Sequence, residues 1–164
     1  IDFTDSSNPF EIAYFDQGPI DDGTMVLAGY WSAYWHNGRI YAPEIVRGLD
    51  VFKLTPSEHL SAAEIAAAEM ITVGQANPQT QYKYVWPDNA TVAQAYLDQL
   101  VRQDAVDMRL ASRASDELNR WDLGRARSGQ LQIVAAGFEQ AAETADDAHA
   151  ELMISLASVL RAAE

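Results

Sequence analysis

The sequence predicts an α+β fold: antiparallel strands over residues 1–54 are followed by an α-helical bundle over residues 55–164, with an extended loop at 75–87. Three observations predict it. Asn37-Gly38 lies between two aromatic runs, and both central residues of a type I′ hairpin turn need positive φ. Ser61-Ala62-Ala63-Glu64 has the spacing of a helix capping box just beyond the last strand-like run. From residue 131 onward, apolar side chains recur at helical spacing in an alanine-rich stretch.

Bulk properties narrow the function classes. With 48% hydrophobic residues in 164 the chain can build a packed core. Its 11 basic and 24 acidic residues give a net charge of -13, which repels phosphate backbones and anionic headgroups, so nucleic acid is excluded as a partner. No apolar run approaches the ~20 residues of a membrane span, so no membrane insertion is expected. The absence of cysteine removes disulfides, thiolate metal sites and a thiol nucleophile. Ile1 opens in a strand-like pattern without a leader, so the expectation is a processed or truncated product.

The strands are read in order. Ile12-Ala13-Tyr14-Phe15 is a short strand, ended by the turn-rich residues 17–23. Residues 25–36 and 39–41 flank the Asn37-Gly38 turn, whose two-residue geometry sets His36 opposite Arg39, Trp35 opposite Ile40 and Tyr34 opposite Tyr41. Strand alternation then puts Trp31, Ala33, Trp35 and Ile40 on one face. Tyr30, Ser32, Tyr34, His36, Arg39 and Tyr41 share the other, which suits packing on a neighbouring sheet or a ligand-facing rim. Residues 49–54 form the last strand.

The helices follow. Thr55 can cap with Pro56 at the first helical position, Ser61 repeats that logic one turn on, and a helix over 57–72 ends near Gly74. Tyr82-Lys83-Tyr84-Val85-Trp86 is extended and aromatic, and is expected to dock on the sheet. Asp88 or Asn89 caps the next helix, and residues 104–123 form another with Met108, Leu110, Ala111, Ala114, Leu118 and Trp121 at helical spacing. Residues 131–163 make either two helices broken near Thr144 or one long helix, with Val134, Phe138, Leu152, Leu156 and Leu160 along one stripe.

Candidate chemistry is sparse. His36, His59 and His149 share no ligand spacing. Asp146 and His149 lie one turn apart, as in a di-metal bundle, but no second copy of the motif accompanies them. No phosphate loop, nucleophile elbow or His-Glu-x-x-His helix is present, so no catalytic residue is assigned and no cofactor is expected. Asp16, Asp21 and Asp22, with the Gly23 carbonyl, could hold calcium, the one candidate metal site; a plain acidic turn is the simpler reading. Asn89-Ala90-Thr91 is formally a glycosylation sequon.

Residues 1–6 also echo residues 52–57, a spacing of roughly 50 residues, which suits a four-stranded propeller blade. Read together, IDFTDSSNPFEIAYFDQGPID, GYWSAYWHNGRIYAPEIVRGLDVFKLTPSE and YVWPDNATVAQAYLDQL resemble the closing region of bacterial LVIVD-repeat proteins. That resemblance implies a β-propeller whose last blade, or part of it, is residues 1–54, with the helical bundle as a tail. It also implies a secreted, periplasmic or cell-surface setting, with Asn8-Pro9 and Gly48-Leu49 at turn and strand-entry positions.

Only about one blade of strands is encoded, and so small a sheet cannot shield both its faces. Trp31, Tyr34, Trp35, Tyr41, Phe52, Tyr84 and Trp86 are therefore the expected interaction residues. Their cover is expected from remaining propeller blades, supplied by upstream chain or a separate subunit, from an envelope protein partner, or from the chain's own helices. The function so implied is non-catalytic: closing the propeller and docking or capping a larger assembly. The alternative is an enzyme whose central-channel site borrows Tyr34, His36 or Arg39.

Overall fold

The computed structural model describes residues 1–3, 6–75, 77–80 and 83–163. Three strands, β1 (Tyr34–His36), β2 (Arg39–Glu44) and β3 (Gly48–Phe52), form one antiparallel sheet in the order β1-β2-β3. Five α-helices follow: α1 (Ala62–Met70), α2 (Ala90–Arg102), α3 (Met108–Asp122), α4 (Ser128–Ala142) and α5 (Asp147–Ala162). The propeller expectation is thereby corrected. Among the described residues there is a single three-stranded sheet with no closure, in a small α+β fold.

The missing strands have local causes. Residues 12–15 join no ladder; Phe15 instead stacks its ring on Phe52 at 4.7 Å, and Asp16 ends the segment by accepting from the Gly18 N–H at 2.8 Å. The first copy of the supposed repeat makes only an isolated bridge, Asp2 with Phe10. Thr4 and Asp5 of that repeat, and Tyr82 of the aromatic segment, lie outside the described residues.

The hairpin forms with the expected register, Tyr34 to Tyr41, Trp35 to Ile40 and His36 to Arg39. Asn37 and Gly38 both have positive φ, 48° and 77°, as the turn chemistry demands. Beyond Tyr34 the register slips. Unbroken pairing would bring Trp31 opposite Glu44, yet Tyr30 occupies that place. One extra residue between Tyr30 and Tyr34 makes a β-bulge, which moves Tyr30 to the face of Trp35 and frees Trp31.

The core is helical. Helices α2, α3, α4 and α5 contact one another in a closed ring, and α1 packs outside on α2. Fully enclosed Leu97, Leu100, Leu118, Leu131, Phe138 and Leu156 fill the centre. Gly137 lets α3 approach α4: a Cβ there would meet the Leu110 side chain at 2.9 Å. By contrast, Ala42 is the one described apolar residue of the first 54 that is buried.

Caps set the helix limits. Ser61 and Glu64 form the reciprocal box, so α1 starts one turn later than Thr55-Pro56 would have started it. Asn89 caps α2 through the Val92 N–H. Asp146 caps α5 through the His149 N–H, which ends the ambiguity near Thr144 in favour of two helices.

The hairpin tip is fastened to the end of α1. Asn37 donates to the Val73 carbonyl at 3.1 Å and accepts from the Val73 N–H at 2.8 Å. Arg39 and Lys53 both reach Glu69, at 3.2 and 3.3 Å.

Candidate interaction surface

Alternation sorts the sheet into a covered and an open face. Trp35, Ile40, Ala42, Glu44, Asp50 and Phe52 share the covered one, which the N-terminal segment crosses. The Tyr30 ring meets Phe52 edge-on at 5.6 Å. The Gln17 amide and the Tyr30 hydroxyl both donate to Asp50 Oδ2 at 2.6 Å, and Arg47 donates to the Gly18 and Pro19 carbonyls at 3.3 and 3.0 Å.

Glu44 organises the turn beside them. Only 6% exposed, its carboxylate accepts from the backbone N–H groups of Gly29 and Val46 at 2.7 Å each, and from that of Arg47. These bonds, the Arg47 one first, hold its pKa below the ordinary carboxylate range despite partial desolvation. Such a group ties a loop down. It offers no free base.

Tyr30 is displaced the other way, from 10.0 up to about 12, by partial burial and then by its bond to the Asp50 carboxylate. Folding thus favours the neutral phenol, so its contribution is whole below pH 10.0 and is lost as pH rises through about 12. In an ultraviolet titration Tyr30 is expected to ionise near pH 12, and Asp50→Asn to lower that midpoint. A high-pH midpoint that Asp50→Asn leaves unchanged would refute this coupling.

The open face carries Tyr34, Tyr41 and Val51 in one cross-strand row and Pro43 with Leu49 in the next. Tyr34 is 51% exposed, Val51 53% and Leu49 62%; Trp31, released by the bulge, is 81% exposed. Among the described residues nothing pairs with the outer edge of β3 either. Pro43 and Ile45 bond toward the Gly29–Trp31 side, which turns Ala42 and Glu44 toward β3 and leaves the backbone groups of Leu49 and Val51 facing away from the sheet.

The expected interaction residues therefore divide. Trp31 and Tyr34 are exposed and Tyr41 is half-buried beside them, whereas Phe52 lies on the covered face between Phe15 and Tyr30. Trp35, Tyr84 and Trp86 meet around a separate cavity of about 190 Å³ next to α1, so the aromatic segment does approach the hairpin. Among the proposed channel residues, Arg39 is engaged by Glu69 and His36 lies beside Asn37.

The acidic turn is accounted for locally. Asp16 and Asp21 each accept from the N–H two residues on, those of Gly18 and Gly23, and Asp22 is exposed. No group of three or more His, Asp or Glu side chains among the described residues is arranged to hold a metal ion. Asp146 and His149 bond to each other at 2.5 Å within the α5 cap.

Two further clefts flank the junction of sheet and helices. The larger, about 660 Å³, lies between residues 11–15, Phe52 and residues 57–60. The other, about 350 Å³, contains the ion pair of Glu64 with Arg102, two parallel bonds of 2.7 and 2.8 Å. Sequence reading missed Glu44, Tyr30 and this pair. A signal for Glu44 existed, because a carboxylate in line with Ile40 and Ala42 interrupts an otherwise apolar strand face. No family model, curated protein or solved structure matches the chain.

Proposed function

We propose that the chain is a non-catalytic interaction module, with the helical bundle as its folded base and the open sheet face as its docking surface for a partner polypeptide. One observation carries the reading: Trp31, Tyr34, Leu49 and Val51, all large and apolar, lie exposed on or beside one open sheet face. Scattered exposed apolar residues are normal, but a contiguous set beside an unpaired strand edge marks a contact site. The polar groups that converge elsewhere, on Glu44, Asp50 and Glu64, are bonded to internal partners and offer no free nucleophile. A secreted or cell-envelope setting, with an envelope protein as partner, belongs to the same proposal and rests on the sequence resemblance alone.

Site-specific photocrosslinking in the native cell tests it. A crosslinker at Leu49 or Val51 is expected to give a discrete adduct with another chain, while one at exposed Arg125, before α4, gives none. Equal labelling at both places, or adducts at neither, contradicts the docking role.

A further inference from the structure

We infer that the cavity between Trp35, Tyr84 and Trp86 is an aromatic cage for a trimethylammonium group. Its walls come from three segments: the hairpin supplies Trp35 and His36, the end of α1 supplies Ile71 and Val73 just beyond it, and the run before α2 supplies Tyr84 and Trp86. The hairpin wall is held in place by the two-way bond of Asn37 to Val73 and by the contact of Arg39 with Glu69. Among the described residues, Trp35, Tyr84 and Trp86 make no ring-to-ring contact, so their π faces are not spent on one another.

Size, charge and polarity each select the occupant. At about 190 Å³ the cavity itself suits a compact head group, and it shares Ile71, Val73, Tyr84 and Trp86 with a more open cleft of about 480 Å³ that Lys83 borders and that leaves room for what the head group is attached to. Among the described residues no carboxylate, lysine or arginine lines the cavity itself, the side-chain amide of Asn37 is already engaged by Val73, and Nδ1 of His36 is its one buried ring nitrogen without a partner. A bare ammonium would lose its hydration and find only that one ring nitrogen among these side chains for its three N–H groups. A trimethylammonium has no N–H to satisfy, and its diffuse positive charge is attracted by the negative faces of indole and phenol rings. The net charge of -13 adds a long-range field that draws cations and repels anions. The same group occurs on trimethylated lysine and on choline headgroups.

Tetramethylammonium titrated into the chain, with the indole N–H signals of the four tryptophans followed by NMR, tests the cage. Trp35 and Trp86 are expected to shift while Trp31 and Trp121 stay. Tetramethylammonium should bind about tenfold more tightly than the neutral isostere 3,3-dimethylbutanol, and Trp86→Leu should weaken it by about tenfold. If Trp86→Leu alters the circular dichroism, Tyr84→Leu, at a half-exposed position, carries the same expectation. Equal binding of the isostere, no indole shift, or full affinity in the folded variant overturns the inference. A trimethyl-lysine peptide and phosphatidylcholine vesicles then compete against tetramethylammonium. Displacement by one of them names the source, and displacement by neither overturns the inference as well.

Discussion

Phe138→Ala is expected to remove about 3–5 kcal/mol, a large part of the roughly 5–15 kcal/mol that holds a domain of this size together. Phe138 is fully enclosed in α4, the helix that packs against both α3 and α5. Close packing on either side prevents those helices from collapsing into the void, so the lost contacts are not replaced. Urea unfolding followed by circular dichroism measures the loss, and a change under about 1 kcal/mol would show that the site can close up. The sheet should unfold in the same transition, because the hairpin leans on Glu69 and Val73 and has almost no core of its own. A separate, later transition reported by Trp35 would contradict that dependence.

Arg102→Met is expected to cost about 2–3 kcal/mol, somewhat less than for a fully enclosed pair because the arginine retains contact with water. The Glu64 side chain is 9% exposed and that of Arg102 26%. Glu64 works at two joints at once. Its Oε2 accepts from the Ser61 N–H at 2.6 Å to complete the α1 cap, and both oxygens accept from Arg102 at the end of α2. Without the guanidinium, a nearly buried carboxylate is left with one N–H donor, and the α1–α2 contact is weakened with the cap. Pairing Arg102→Met with Glu64→Gln should recover much of the loss in chemical denaturation, since no buried charge then remains. A double variant as unstable as the sum of the singles would show that the two residues act independently.

Features legible in the sequence were those in which chemistry acts over a few residues. Asn37-Gly38 fixed the turn and with it three cross-strand pairs, because a type I′ turn needs positive φ at two successive positions and these two residues supply it at low cost. Asn89 and Asp146 marked helix starts because their side chains satisfy N–H groups that no preceding turn can. The stripe through Val134, Phe138, Ala141, Ala145, Ala148, Leu152, Leu156 and Leu160 announced a helical seam, of which Val134, Phe138, Leu156 and Leu160 are buried, Ala141, Ala145 and Leu152 half-buried, and Ala148 exposed. The propeller expectation failed for a related reason. Short alternating runs such as Ile12-Ala13-Tyr14-Phe15 announce an extended backbone, yet becoming a strand requires an edge to pair with, and this segment meets the sheet through the Phe15 ring.

The sequence by itself determined an acidic, cysteine-free α+β chain with one aromatic hairpin and a capped helical bundle, since each of these follows from local conformational preference and helical or strand period. Tertiary structure alone decided which side of the sheet is covered. A one-residue bulge between Tyr30 and Tyr34 cannot be read from an alternating pattern, yet it reverses the faces of Tyr30 and Trp31. Long-range pairing also decided that Glu64 meets Arg102, and that Trp35, Tyr84 and Trp86 surround one cavity. Residues so far apart in the chain come together only when the packing of helix on helix and hairpin on helix outweighs the entropy of closing the loops between them.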